Sequence, residues 1–326
     1  MIKVSVVAMQ GVLDSSLGIS LDLLQAADNL ARAKGQPGFT IERVATSDSG
    51  SVRTSCGLRI SELVPLRRAT PPDVVLLPGS NVNVPEKLEA WLASAEVAAV
   101  QNWLRDAEPQ ARLMAAGCVG SFVMAGAGLL EGNRATTTWW LARQFQQRYP
   151  NVCLDMHRMV VDADKFITAG AALAQADLTL HLVERLCGPT VAGLCSSYML
   201  VDERLSQAHY AIVGHLSRQH PDVLRAEKWI RSNLARPFGI PELAQAVNLT
   251  PRTLARRFVE ATGSTPYDFI QRLRIERATC LLRTTKLPLQ HIAERVGYQD
   301  TGVLRRVFKR FHHPMPSEVR RELTAR

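Results

Sequence analysis

No stretch of the 326-residue sequence approaches the roughly 18 consecutive apolar residues of a membrane helix, so no bilayer-spanning segment is expected. Cys56, Cys118, Cys153, Cys187, Cys195 and Cys280 form neither a C-x-x-C pair nor a disulfide-like framework. That pattern argues against zinc and iron-sulfur sites and suits a reducing compartment. No P-loop or GxGxxG pattern occurs, and His312 and His313 lack other metal-ligating residues nearby, so neither cofactor nor metal is expected. Low-complexity segments are also missing. Only Met1, Ile2 and Lys3 precede the apolar run from Val4, too little for a secretory signal, and the expected address is the cytoplasm.

The sequence does have length for two cores, with 46% hydrophobic residues, and an uneven charge. Residues 223–326 hold 20 Lys and Arg against 9 Asp and Glu, a net +11, while the remainder nets −2. A basic module attached to a neutral partner is the electrostatic footprint of a polyanion binder, although a merely solvated basic face would look the same. Over the first 200 residues, β-branched runs at 3–9, 40–46, 74–77, 112–115 and 165–168 alternate with helical patterns at 18–33, 86–106, 122–130, 140–148 and 172–187. This rhythm predicts a three-layer α/β sandwich, a parallel sheet covered by helices on both faces. The pattern weakens from 201 to 221, where a linker is placed between a domain at 1–200 and an all-α domain at 222–326.

The basic segment contains an internal repeat. In the first copy Leu243, Ala244 and Val247 share a helical face, Asn248 suits a left-handed turn, Thr250 can cap the next helix and Pro251 fits its first position. Leu254 and Phe258 then point inward. About 49 residues on, Ile292, Ala293, Val296, Gly297, Leu304 and Phe308 answer them, with a turn one residue longer. Residues 266–283 read as one helix joining the copies. One helix-turn-helix pattern is a weak signal, but two in tandem within a net charge of +11 make coincidence improbable.

Residues 223–326 resemble the DNA-binding domain of the AraC/XylS family of transcription regulators. The resemblance rests on the run from Leu249 to Phe258, Gly263-Ser264-Thr265-Pro266, Arg274 with Ala278 and Leu281-Leu282, the run from Ile292 to Tyr298, Phe308-Lys309-Arg310, and Pro316-Ser317 with Arg320. His313 replaces a preferred Gly and Val319 a preferred aromatic. The resemblance implies that the second helix of each unit inserts into the major groove, at two places about one turn, roughly 34 Å, apart. It assigns Arg252, Thr253, Arg256 and Arg257 to DNA in the first unit, and Thr301, Gly302, Arg305, Arg306 and Lys309 in the second. For Arg257 a solvated helix face is an equal alternative. Because Gly302 has no side chain to read with, the first unit is expected to supply more base readout and the second more backbone grip.

In the first domain a strand runs into Ala116-Gly117-Cys118-Val119-Gly120-Ser121 and then a helix. Flanking glycines suggest a sharp elbow that presents Cys118 at a helix N-terminus, where the dipole favours a thiolate; the alternative is a buried, inert cysteine. Residues 3–190 resemble the ThiJ/PfpI family of class I glutamine-amidotransferase-like, flavodoxin-like folds, through the run from Ala125 to Thr137, Ile167-Thr168-Ala169-Gly170, Asp177-Leu178 and the run from His181 to Glu184. A domain of this kind ahead of an AraC-type one is the arrangement of the GlxA-like subgroup.

Enzymes of that fold pair the cysteine with a histidine, often with a carboxylate nearby. Here Thr138 stands where related sequences carry the histidine, Ser15-Ser16 replace the carboxylate, and Asp14 is out of step by two. Without a base a thiol is a poor general nucleophile, so no enzymatic activity is expected. Candidate ligand-binding residues are Ser16, Gly79, Ser80, Asn81, Cys118, Val119, Gly120, Thr138 and Trp139. Trp139-Trp140 would suit a cationic ligand, or would simply be core. The resemblance implies a homodimeric activator that binds double-stranded DNA, recruits RNA polymerase and answers a small nitrogenous effector such as a quaternary ammonium compound or an amino acid. Two rivals stay open: a cysteine-dependent hydrolase or amidase that also binds DNA, and a redox sensor built on Cys118.

Overall fold

The computed structural model describes residues 1–156, 158–201, 204, 221–262, 264–311, 313 and 315–324. The chain divides into two compact units, Met1–Ala208 and His209–Arg326. Apart from positions 201, 204 and 221, the expected linker lies outside the described residues.

The strands of the first unit are β1 (Ile2–Ala8), β2 (Phe39–Ala45), β3 (Val52–Arg53), β4 (Arg59–Ile60), β5 (Val64–Pro65), β6 (Val74–Leu77), β7 (Leu113–Gly117), β8 (Arg134–Ala135), β9 (Cys153–Leu154), β10 (Val160–Ala163) and β11 (Phe166–Ala169). Seven of them form one sheet in the order β10-β11-β7-β6-β1-β2-β5. All pairings in it are parallel except β10 with β11. Alternation along the strands sends side chains to two cores, as a doubly covered sheet requires. Val4, Val6, Val74, Leu76 and Ala115 pack with Leu23 and Leu24 of α1 (Asp14–Ala33) on one face. Val7, Val75, Leu77, Met114 and Ala116 fill the other. There they meet α2 (Pro85–Leu92), α3 (Ala95–Ala107), α4 (Gly120–Gly126) and α5 (Ala142–Arg148) through Leu88, Val100, Leu104, Phe122 and Phe145. On the first face α6 (Ala174–Cys187) and α7 (Pro189–Met199) complete the layer with Leu178, Leu182 and Val191.

The three-layer α/β architecture is the expected one, with local corrections. The single helix expected at 86–106 is two, because Ser94 takes an extended conformation and caps α3, its hydroxyl accepting from Val97 N at 3.3 Å. The helix expected at 122–130 ends at Gly126, and Gly128 leaves with φ +82. Helix α7 and the antiparallel strand β10 were not foreseen, being a charge-free helix and a short edge strand.

The second unit is helical: α8 (Pro221–Asn233), α9 (Ile240–Ala246), α10 (Pro251–Thr262), α11 (Pro266–Thr284), α12 (Leu289–Arg295), α13 (Thr301–Arg310) and α14 (Pro316–Thr324). Its turns follow the residues read from sequence. Asn248 has φ 58 and Gly297 φ 79, and the Thr250 hydroxyl accepts from Thr253 N at 3.2 Å. In the second copy Asp300 does Thr250's work, accepting from Val303 N at 2.9 Å. Val319 fills core space at 1% exposure, and the His313 ring meets Phe308 edge to face at 5.9 Å, so both departures from the AraC/XylS pattern are accommodated. Because a left-handed residue with a Cβ costs roughly 1–2 kcal/mol, Asn248→Ala should lower the stability of this unit by about 1 kcal/mol. Asn248→Gly should not, and urea unfolding followed by tryptophan fluorescence distinguishes the two.

Candidate ligand site and nucleic-acid interface

Strand β7 ends at Gly117, and Cys118 follows with φ 54, so the elbow is present. Its backbone is held from the neighbouring strand end. The Cys118 amide donates to the carbonyls of Ala169 (3.0 Å) and Gly170 (2.9 Å). Its carbonyl accepts from Thr137 Oγ1 at 3.2 Å, and the Ser121 hydroxyl lies 2.8 Å from the same oxygen. A Cβ at Gly79 would stand 2.8 Å from that of Cys118 and 3.5 Å from Ser16 Oγ. Gly79 therefore lets the β6 loop close on the elbow and brings Ser16, Gly79 and Cys118 together. The buried Thr138 hydroxyl has no hydrogen-bond partner among the described residues.

The other expected ligand residues are less tightly gathered. Val119 and Gly120 are buried at the start of α4. The Ser80 hydroxyl is buried without a partner among the described residues. Asn81 is exposed, its amide donating to Gly11 O at 2.9 Å. Trp139 is half-buried and meets Trp140 edge to face at 5.1 Å, while Trp140 packs on the core. Gln175 was missed. It is 1% exposed, donates to Ser20 Oγ at 2.9 Å and has an Oε1 that lacks a partner among the described residues and would collide with a Cβ at Gly117. A lone Gln in a helical pattern gives no signal in sequence.

The thiolate expected at the elbow does not form near neutrality. Burial of the sulfur pushes the Cys118 thiol up to about 11, against the Val119 amide and the Thr138 hydroxyl, which favour the anion. A seven-residue helix does not reverse this. Among the described residues no imidazole or carboxylate contributes to its ionisation. Asp14 is turned away: the Thr54 hydroxyl foremost, with Cys56 N at 3.0 Å and Ser55 Oγ at 2.8 Å, holds its carboxyl well below the usual range.

In the second unit, α10 exposes Arg252 and Arg256, with Thr253 half-buried beside its cap. Arg256 is 68% exposed and reaches Glu260 only at 3.9 Å, a contact weak enough to yield to a phosphate or a base. On α13, Gly302, Arg305, Arg306 and Lys309 are exposed and Thr301 is half-buried. Arg257 departs from the expected set. It is half-buried and ion-paired to Asp222 of α8, where it braces the domain.

The DJ-1/PfpI family matches residues 2–185, more than half of the chain. The chain belongs to the DJ-1/PfpI family. A helix-turn-helix domain matches residues 243–322. The chain is 28% identical over 215 residues to the HTH-type transcriptional regulator GbdR of Pseudomonas aeruginosa, covering 65% of this chain and 58% of that one. It is 26% identical over 205 residues to the HTH-type transcriptional regulator GlxA of Rhizobium meliloti, covering 62% and 63%. In both cases it spans less than two thirds of the relative. Drosophila melanogaster DJ-1beta shares the fold with TM-score 0.51 and 22% identity, over 62% of this DJ-1/PfpI-family chain and 98% of that structure.

A neutral, buried thiol should alkylate slowly. Peptide mapping after iodoacetamide at pH 7 should show the exposed Cys56 modified well before Cys118. The unfolded thiol ionises near its ordinary 9.0 and the folded one near 11, so in between the folded state holds more protons and stability falls as pH rises. Cys118→Ala should lessen that slope, leaving the share of Cys195, whose thiol is also pushed up by burial to about 11.

Proposed function

We propose that the chain is a sequence-specific DNA-binding transcription regulator, controlled by a small-molecule effector that binds its DJ-1/PfpI domain around Cys118. The observation that carries this reading is the repeated helix-turn-helix geometry, in which α10 and α13 each follow a capped turn and expose Arg252 and Arg256, or Arg305, Arg306 and Lys309. The fork of arginine matches the two acceptors of a guanine edge, and the same cation neutralises phosphate. The similarity to HTH-type transcriptional regulators supports the reading.

For the first unit, the geometry favours a receptor over a hydrolase. Cysteine hydrolysis needs a thiolate, a proton carrier and donors for an oxyanion. Cys118 is protonated at neutral pH, Thr138 sits where a base would, and Asp14 is engaged elsewhere. Ser16, Gly79 and Cys118 nonetheless come together, and the buried Thr138 hydroxyl has no hydrogen-bond partner among the described residues; in this reading these polar groups receive a carbonyl, carboxylate or nitrogenous metabolite. The protein acts, in this reading, as a cytoplasmic homodimer and an activator whose occupied pocket changes how paired DNA-binding units meet RNA polymerase.

Affinity for the promoter should fall steeply with salt, about 0.9 logarithmic units per phosphate neutralised for each tenfold rise in salt. Anisotropy titrations of the full chain measure this, and a flat response would sink the reading. Arg256→Ala should weaken the selected site by roughly 1–3 kcal/mol and relax preference at one position. Arg306→Ala should weaken all sequences evenly, and selection from a randomised library separates these outcomes. Cys118→Ser should bind DNA as the parent does but shift the effector concentration at half-maximal transcription; ester or amide turnover abolished by Cys118→Ala would instead establish the hydrolase.

A further inference from the structure

Among the described residues the second unit has two hydrophobic cores, not one. Along α11, Phe269, Ile270 and Leu273 belong to the core under α9 and α10, whereas Ile275, Ala278 and Leu281 belong to the core under α12 and α13. Arg274 occupies the changeover. It is 6% exposed, and its Nη2 donates to the Arg236 carbonyl at 2.9 Å. Its guanidinium lies 5.3 Å from the ring centre of Phe238 and 5.1 Å from that of Tyr298. Tyr298, in the turn of the second helix-turn-helix, is 7% exposed and donates its hydroxyl to Gln271 Oε1. On the far side, Arg236 pairs with Glu242 of α9 at 2.6 Å. Glu242, Arg236, Arg274 and Tyr298 thus form a continuous chain of contacts from the first helix-turn-helix, through α11, to the turn before the second recognition helix. Gly297 lets that turn press in, since a Cβ there would lie 2.6 Å from Leu234 O.

A buried guanidinium is not the most stabilising way to fill such a joint, because apolar residues of equal volume often do as well or better. Arg274 Nε even lacks a partner among the described residues, so hydrogen bonding alone does not account for its burial. What the planar group provides is direction: Nη2 is anchored by a carbonyl while the centres of two rings lie within 5.3 Å of the guanidinium carbon. Where separate cores meet along one helix, a small rotation about that helix swings α13 relative to α10. We propose that Arg274, with Tyr298, is the positioning residue that fixes the separation of the two recognition helices and so selects the spacing between the two half-sites on DNA. This rests on the DNA-binding reading above.

The test uses the full chain, the sequence selected by it from a randomised library, and duplexes in which the two half-sites are moved apart or together one base pair at a time. The unsubstituted protein should prefer one spacing by about tenfold or more over its neighbours, since a mis-spaced second contact loses its effective concentration. Arg274→Lys keeps the charge and loses the fork. It should bind an isolated half-site within about twofold of the parent while its spacing preference collapses by about tenfold. Tyr298→Phe removes only the hydroxyl and should broaden the profile in the same direction, which keeps the test decisive should Arg274→Lys fail to fold. An unchanged spacing profile in the folded variants overturns the positional role alone. Failure of the unsubstituted chain to select any sequence overturns the DNA-binding reading and the positional role with it.

Discussion

Because β1, β6 and β7 are buried on both faces, alternate residues of each strand are committed to one of two cores, and polar chemistry is driven to the strand ends. The end of β7 is where this constraint acts most strongly. There the backbone reverses at Cys118, the β11 end supplies two carbonyls, and Gly79 lets the neighbouring loop close in. A sheet open on one face would leave such a turn solvated and its sulfur ionisable. The covered sheet makes the same turn dry, and the dryness decides the protonation state of its cysteine.

The large features were legible because they depend on local rules. The β-branched runs and helical periods located the central strands and their covering helices, and Asn248, Thr250, Pro251 and Gly297 announced the turns through backbone preferences that hold in any fold. What stayed hidden depends on encounters between distant segments. Gln175 meets the elbow only because α6 crosses beneath β7, and Asp222 captures Arg257 from another helix. The break at Ser94 was missed because apolar spacing continues across it. The ionisation of Cys118 was misread for a related reason: the elbow is encoded locally, whereas burial of its sulfur is a property of the whole sheet.

The helix-turn-helix unit solves a different problem. Each helix-turn-helix is too small to hold much of a core, and the two cores meet along α11. Apolar packing fixes each half internally, but directional contacts at the changeover are better suited to fixing the angle between halves.

The left-handed backbone at Cys118 also bears on how this position drifts over generations. Glycine adopts that conformation without steric cost, and asparagine tolerates it well, so random substitution tends to carry the site toward them. A protonated sulfur held in a buried turn offers little resistance to that drift. Its persistence in any lineage would therefore mark selection for the size and polarisability of a sulfur packed against Gly79.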